Sequence, residues 1–341
     1  MSDKTYMSIQ EMAKQNANDP SNRQEVIDQM RRVMGTLPDM APEFKTEFHR
    51  GVEGIKVKLI DHNVNPYKAI YNFGAMTWGK KADKWADTPV AGRVAVVKAV
   101  LDRQALPLAL EVPNFTFTVE GVSRWAFDQM ARQRLGTVFS SMGTRDNNHL
   151  DMGFRVHESI WKDEEKLKRF KETCLLAKEN YRYFVEQGQG SWQEARSLLP
   201  ISCIHNYMVH MNFAAVQNMV GKRGQACEGE DVVAIAFLTR QAIGEKFPLL
   251  SKYLRPSCDW VGKCTYHKAY SMSEAFGALF DTCGRWPDGD EYKYFHQNGS
   301  CSDYKTIASQ LGIYIPAGHE DRPEDYNVFG NEIDMALFEA E

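Results

Sequence analysis

Apolar and polar positions alternate most regularly over Phe115–Val119 (FTFTV), where aromatic and β-branched residues predict a strand. A second strand is expected over Ile55–Ile60, with Lys56 and Lys58 between apolar neighbours. Elsewhere the period is helical. Asn65-Pro66 turns the chain into a helix over Tyr67–Trp78, and Val94, Val97 and Leu101 share one side of a helix over Val90–Arg103. Further helices are expected over Arg23–Met34, over the long charged stretch Glu158–Glu186, and over Ile204–Val220, stopped by Gly221. Another spans Asp231–Ile243, opened by Glu230 and Asp231. Val122–Arg145 reads as an amphipathic arginine helix that breaks into a loop of Ser, Gly and Thr. The class is α+β, mostly helical with few strands. Three parts are expected: an N-terminal extension over 1–52, a central domain over 53–255, and a mostly irregular Cys-containing appendage over 256–341.

Bulk composition narrows the partners. Hydrophobic residues make up 43% and charged residues 25% of the 341, the balance of an ordinary globular protein. A formal net charge of −4 provides no basic field for a nucleic acid polymer, whereas a small anion needs only a local arginine cluster. No apolar run approaches the roughly 20 residues that span a bilayer. The polar N-terminus lacks the apolar stretch of a secretory signal, and seven cysteines form an odd set. A reducing cytoplasm is therefore the expected compartment.

The candidate chemistry lies in four places. Gln129 and Arg132 are three apart and would share a helical face, with Arg134 about 200° around from Arg132. Planar guanidinium forks suit phosphates and base carbonyls. The plain alternative is a solvated face with Arg124 paired to Asp128. Asn212, Asn218 and Arg223 form the second group; Asn both donates and accepts, which suits the imide-like edges of flavins and pyrimidines. The alternative there is a helix end carrying two exposed cations. Arg196 precedes a short apolar run, where a lone arginine is more often a surface ion pair than a ligand contact. Cys258, Cys264, His267 and Cys283, spaced C-x5-C-x2-H-x15-C, offer a tetrahedral zinc set or else reduced structural cysteines. There is no phosphate-binding P-loop, dinucleotide glycine fingerprint, HExxH or CxxC pair.

Four blocks in order resemble the flavin-dependent thymidylate synthases (ThyX): NPYKAIYNFGAMTW, LEVPNFTFTVEGVSR, QMARQRLGTVFSS and EARSLLPISCIHNYMVHMNFAAVQNMVGKRG. The resemblance implies a mostly helical fold with a small antiparallel sheet, in a homotetramer whose sites, formed where subunits meet, bind FAD and dUMP. It implies methylation at C5 of dUMP, with methylenetetrahydrofolate and NADPH as co-substrates, to give dTMP. By position, Gln129, Arg132, Arg145, Ser141, Arg196 and Arg223 fall on the nucleotide side. Arg223 is the residue expected to polarise a uracil carbonyl. Thr77, Glu111, Arg134, Asn212 and Asn218 fall on the flavin side.

The chain departs from the family pattern of Arg-His-Arg, seven residues, then Ser. Gln133 stands for the histidine and Met142 for the serine, with Ser141 one residue earlier. Ala105, Leu106 and Pro107 occupy the stretch of a further family histidine, and Cys227 aligns with another. Two other readings follow from these departures. One is a hydroxymethylase of dUMP or dCMP on the same scaffold, and the other is a nucleotide-binding protein without turnover.

Overall fold

The computed structural model describes residues 47–261 except 82, 146, 187–191 and 227, together with 302–315 and 335–340. Of the rest, it describes residues 28 and 32, both helical, and the backbone of 280–282 and 293–295. The chain divides into two compact units, residues 1–42 and 43–341, and all that follows concerns the second.

Its strands are β1 (Phe48–Arg50), β2 (Lys56–His62), β3 (Asn114–Ser123), β4 (Thr137–Ser141), β5 (Phe154–Val156) and β6 (Ile204–Asn212). β2, β3, β6 and β4 lie side by side in that order, each pair antiparallel, while β1 and β5 pair in parallel. A further antiparallel pair joins β7 (Phe280–Thr282) to β8 (Lys293–Phe295). The FTFTV alternation is the middle of β3. Phe115, Phe117 and Val119 are fully buried, with Met211, Val209 and Tyr207 of β6 directly opposite. Thr116 and Thr118 stand on the other face, as period two requires.

The helices are α1 (Pro66–Thr77), α2 (Val90–Leu101), α3 (Arg124–Met130), α4 (Glu158–Trp161), α5 (Glu164–Glu186) and α6 (Trp192–Ala195). They continue with α7 (Phe213–Arg223), α8 (Glu230–Gly244), α9 (Pro248–Ser251), α10 (Ser257–Val261), α11 (Tyr304–Leu311) and α12 (Met335–Glu339). Single 3-10 turns lie at Pro107–Glu111 and Arg196–Leu198. α8 packs on the apolar face of β2 and β3, with Val232, Val233, Ile235 and Phe237 buried. The described C-terminal pieces join the same core through Tyr304, Ile307, Ile315 and Phe338.

Three expected helices are corrected by the structure. Ile204–Val220 is not one helix, because its first half is β6 and only Phe213 onward is helical, continuing through Gly221 to Arg223. The sequence IHNYMVHMN pairs on both edges, with β3 and β4, and sheet pairing outweighs local helix propensity. The arginine helix stops at Met130, and the stretch read as a small-residue loop contains β4. Gly136 makes the intervening turn at φ +67°, a conformation that other residues rarely adopt. The expected helix over Glu158–Glu186 is interrupted at Lys162–Asp163, where Asp163 Oδ1 accepts from Lys166 N at 3.0 Å and starts α5.

A bulge in β3 sets the geometry of everything after it. The register with β6 slips between Val119 and Val122, and Gly121 takes φ +78°. Gly121 N donates to Asn206 Oδ1 at 2.8 Å, and Gly121 O accepts from Arg155 Nε at 2.6 Å. The next turn is closed by Ser123, which caps α3 through Ala126 N while its own N donates to Asp231 Oδ2 at 2.9 Å.

Glu230, beside Asp231 in the first turn of α8, is buried and accepts from Glu158 N at 2.8 Å. A helix N-terminus favours a carboxylate, yet burial and the neighbouring acids win and push its pKa up to about 8. The raised value means that the folded chain binds a proton the unfolded chain has released above its ordinary 4.5. This contribution to stability is complete below pH 4.5 and lost as pH rises through about 8. Glu230→Gln should therefore gain on the wild type across that window in thermal melts, and parallel pH curves for the two proteins would refute the assignment.

Candidate functional site

α3 and α7 leave opposite ends of the β3–β6 pair, and their C-terminal ends meet. There Arg223 Nη2 donates to the Gln129 carbonyl at 3.0 Å, and Nη1 approaches Gln129 Oε1 at 3.5 Å. The cation thus sits at the negative end of both helices. Arg223 Nη1 also donates to both carboxylate oxygens of Glu228, at 3.0 and 3.1 Å, and the pair is largely buried. Its Nε is buried without a partner. A guanidinium already compensated by a carboxylate, with one donor unused, suits a neutral carbonyl acceptor better than a phosphate. The loop holding Glu228 is itself anchored from the C-terminal part. Ser302 N donates to Ala226 O at 2.8 Å and Ser302 Oγ to Glu228 O at 2.5 Å, while Tyr304 Oη bonds Gly224 O.

Arg196 lies elsewhere, in a cleft of about 500 Å³ walled by α3, the Arg196–Leu198 turn, the start of β6 and Thr144. Its second cation is Arg124, whose Nε is 3.1 Å from Asp128 Oδ1 and whose guanidinium lies over the Phe127 ring at 5.1 Å. The pairing of Arg124 with Asp128 is the one noted as the plain alternative. His149 and His205 also line this cleft and are 2% and 1% exposed. Both ring nitrogens of His149 and Nε2 of His205 have no hydrogen-bond partner. Burial, reinforced by Arg124, pushes their pKa values down to about 4 and about 3. Both imidazoles are neutral at physiological pH, and His149 has an unpartnered N–H in either tautomer. Burial also pushes the Cys203 thiol up to about 12, which leaves it unreactive.

Glu111 and Asn218 meet in a third place, a cleft of about 370 Å³ shared with Arg103, Gln217, Pro107 and Leu108. Arg103 takes φ +58°, a left-handed conformation unusual for a side-chain-bearing residue. Asn212 is committed to structure: its Oδ1 accepts from Ala215 N at 2.8 Å and caps α7. Thr77 ends α1 with its hydroxyl on Phe73 O at 3.2 Å. Arg132, Arg134 and Arg145 are exposed in turns, and Ser141 is exposed at the end of β4. Arg132 therefore does not share a helical face with Gln129. Cys258 is buried beside Asp259, whereas Cys264, His267 and Cys283 lie outside the described residues. Among the described residues, no group of three or more His, Cys, Asp or Glu could hold a metal.

Sequence reasoning missed Glu228, His149, His205 and Arg103. Only Arg103, beside the gap left by the absent family histidine, carried a local signal, and the others are brought in by pairings distant in sequence.

Comparison with known proteins identifies the family. The family model for thymidylate synthase complementing protein matches residues 58–249, more than half of the chain. The chain belongs to that family. The flavin-dependent thymidylate synthase of Pyrococcus abyssi is 26% identical over 231 residues, covering 62% of this chain and 89% of the relative. That of Nitratidesulfovibrio vulgaris is 24% identical over 249 residues, covering 68% and 95%. The structure of a UMP/dUMP methylase, PolB from Streptomyces cacaoi, bound with 5-Br dUMP, superposes with a TM-score of 0.51. That alignment is 14% identical and covers 61% of this chain and 96% of PolB, a likeness of fold.

The unpartnered histidines have a measurable consequence. Below pH 6.5 the unfolded chain protonates them, but the folded chain resists until about pH 4 and 3. Their contribution to stability is present above pH 6.5 and lost as pH falls through those values. His149→Leu and His205→Leu should flatten the acid limb of melting temperature against pH, and an unchanged limb would show that neither residue titrates this way.

Proposed function

We propose that the chain is a flavin-dependent methyltransferase that converts dUMP to dTMP, with methylenetetrahydrofolate as carbon donor and NADPH as reductant. The observation that carries this reading is Arg223 meeting Gln129 across 94 positions of sequence, both at positions that the resemblance assigns to the nucleotide. Arg223 keeps one unused donor, and such a donor aimed at a uracil carbonyl would stabilise negative charge developing on the ring. Arg196 and Arg124 form a cationic cleft suited to the nucleotide phosphate, and the neutral imidazole of His149 below them can donate a further hydrogen bond. Arg132, Ser141 and Arg145, all exposed, are available to the same ligand from another copy.

The Glu111–Asn218 cleft fits part of FAD. Glu111 accepts and Asn218 does both, as ribityl or ribose hydroxyls require, while Arg103 brings a cation for a phosphate. Bound flavin would supply the redox chemistry, and the protein orients ring against ring and balances charge. Arg134 and Asn212 belong to this side of the reading, with Asn212 acting through the helix it caps.

A homotetramer accounts for nucleotide and flavin residues lying in separate places on one chain. Exposed Leu135 and Val138 beside the sheet-edge strand β4 are suited to burial against another copy. The described thiols Cys174 and Cys203 are free, as a reducing cytoplasm would keep them, and no described helix is long and apolar enough to cross a membrane.

Purified protein should be yellow or take up FAD, and should oxidise NADPH faster with dUMP present. Product masses from dUMP, UMP and dCMP identify the acceptor, and a product 16 units above dTMP, one added oxygen, would mean hydroxymethylation instead. Arg223→Ala should lower kcat by roughly 10²–10³. Arg196→Ala should act mainly on KM, by about 10–100-fold. Colourless protein that cannot be reconstituted, or nucleotide binding without any product, would refute the proposal.

A further inference from the structure

The segment 335–340 is held far beyond what a chain end requires. Phe338 is fully buried between the rings of Tyr67, at 4.7 Å and 18°, and Trp85, at 5.8 Å and 27°. Three of its backbone carbonyls are gripped by side chains. Asn65 Nδ2 donates to Leu337 O at 2.7 Å, Arg93 Nη1 to Phe338 O at 2.5 Å, and Trp85 Nε1 to Ala340 O at 2.7 Å. Arg93 Nη1 also reaches Ala340 O at 3.4 Å.

Every gripping residue comes from positions 65–93, and these residues are fixed by bonds of their own. Asn65 caps α1 through Lys68 N. Arg93 is tied to Thr88 O and Ala86 O, and its guanidinium lies 4.8 Å from the Trp85 ring centre. Tyr71 bonds Thr88 Oγ1 and meets Trp85 edge-on. The groove is thus organised independently of what it holds, the condition that favours ligand binding. By contrast, the five residues of α12 are too few to form a stable helix alone, so their ordering accompanies docking. The segment lies outside the family match at 58–249.

We propose that the α1–α2 groove is a peptide-binding surface whose ligand is this chain's own C-terminal segment, recognised by Phe338 and by backbone carbonyls and able to leave and return. The contacts divide the work. Backbone carbonyls set direction without reading sequence, and the Tyr67–Trp85 slot selects an aromatic ring. This inference stands whatever reaction the enzyme catalyses.

The test uses the full-length chain and a fluorescent peptide of residues 333–341. Wild-type chain should take up the label weakly, because its own segment fills the groove. Full-length Phe338→Ala chain should bind the peptide, and unlabelled wild-type peptide should compete. A peptide carrying Phe338→Ala should be at least about 30-fold weaker, the loss typical of a buried aromatic anchor. As a second arm, a protease site placed within 316–334 allows the folded wild-type chain to be cut and the segment exchanged for labelled peptide. If Phe338→Ala chain remains folded by circular dichroism yet binds no peptide, the inference fails. It fails equally if the cut chain unfolds or never exchanges its segment, which would make 335–340 a fixed part of the core.

Discussion

The antiparallel pairing of β3 with β6 is the constraint from which the candidate site follows. Each strand runs straight into a helix, α3 after Ser123 and α7 after Asn212, and the pairing places those exits at opposite ends of the ladder. The strand pair is about 30 Å long at roughly 3.3 Å per residue. Helices of seven and eleven residues reach about 10 and 16 Å. Those lengths suit two helices that return over the sheet and meet near its middle, where Arg223 finds Gln129. The bulge at Gly121 and the Ser123–Asp231 bond fix the angle at which the first of them leaves.

Charge is distributed over this frame in two distinct ways. Arg155 and Arg223 are buried and place most of their donors on backbone carbonyls or a carboxylate, so they hold segments together, with one donor nitrogen of each left over. Arg155 links Gly121 to the carbonyls of Gly51 and Glu53, joining β3 to the short parallel pair. In the Arg196 cleft, by contrast, donors are gathered and left unused. Unpartnered buried nitrogen atoms cost roughly 1–3 kcal/mol each, and two histidines carrying them sit side by side at that cleft.

Much of the frame was readable because it depends on local periodicity. FTFTV named β3, and the apolar spacing of α1, α2 and α8 placed them within a residue or two. What failed depends on pairing. The polar residues of HNYMVHMN obscure its alternation, and the segment becomes a strand because β3 and β4 flank it. Gln129 and Arg223 could be named from family position, but Glu228, His149 and His205 join the site only through folding. Phe338 carried no local signal at all: a single aromatic near a chain end is ordinary until Tyr67 and Trp85 close on it.

Gly136 and Asn212 sit where two of the resembling blocks touch. Asn212 N bonds Gly136 O at 3.0 Å, and a Cβ at position 136 would stand 2.5–2.7 Å from the Asn212 side chain. The turn beside Arg134 is therefore seated on the cap of the helix that bears Asn218 and Arg223. A side chain at position 136 would meet both that clash and the left-handed φ of +67°, so the turn and the α7 cap are locked as one unit. The two halves of the chain that carry the candidate residues thus share a single rigid joint.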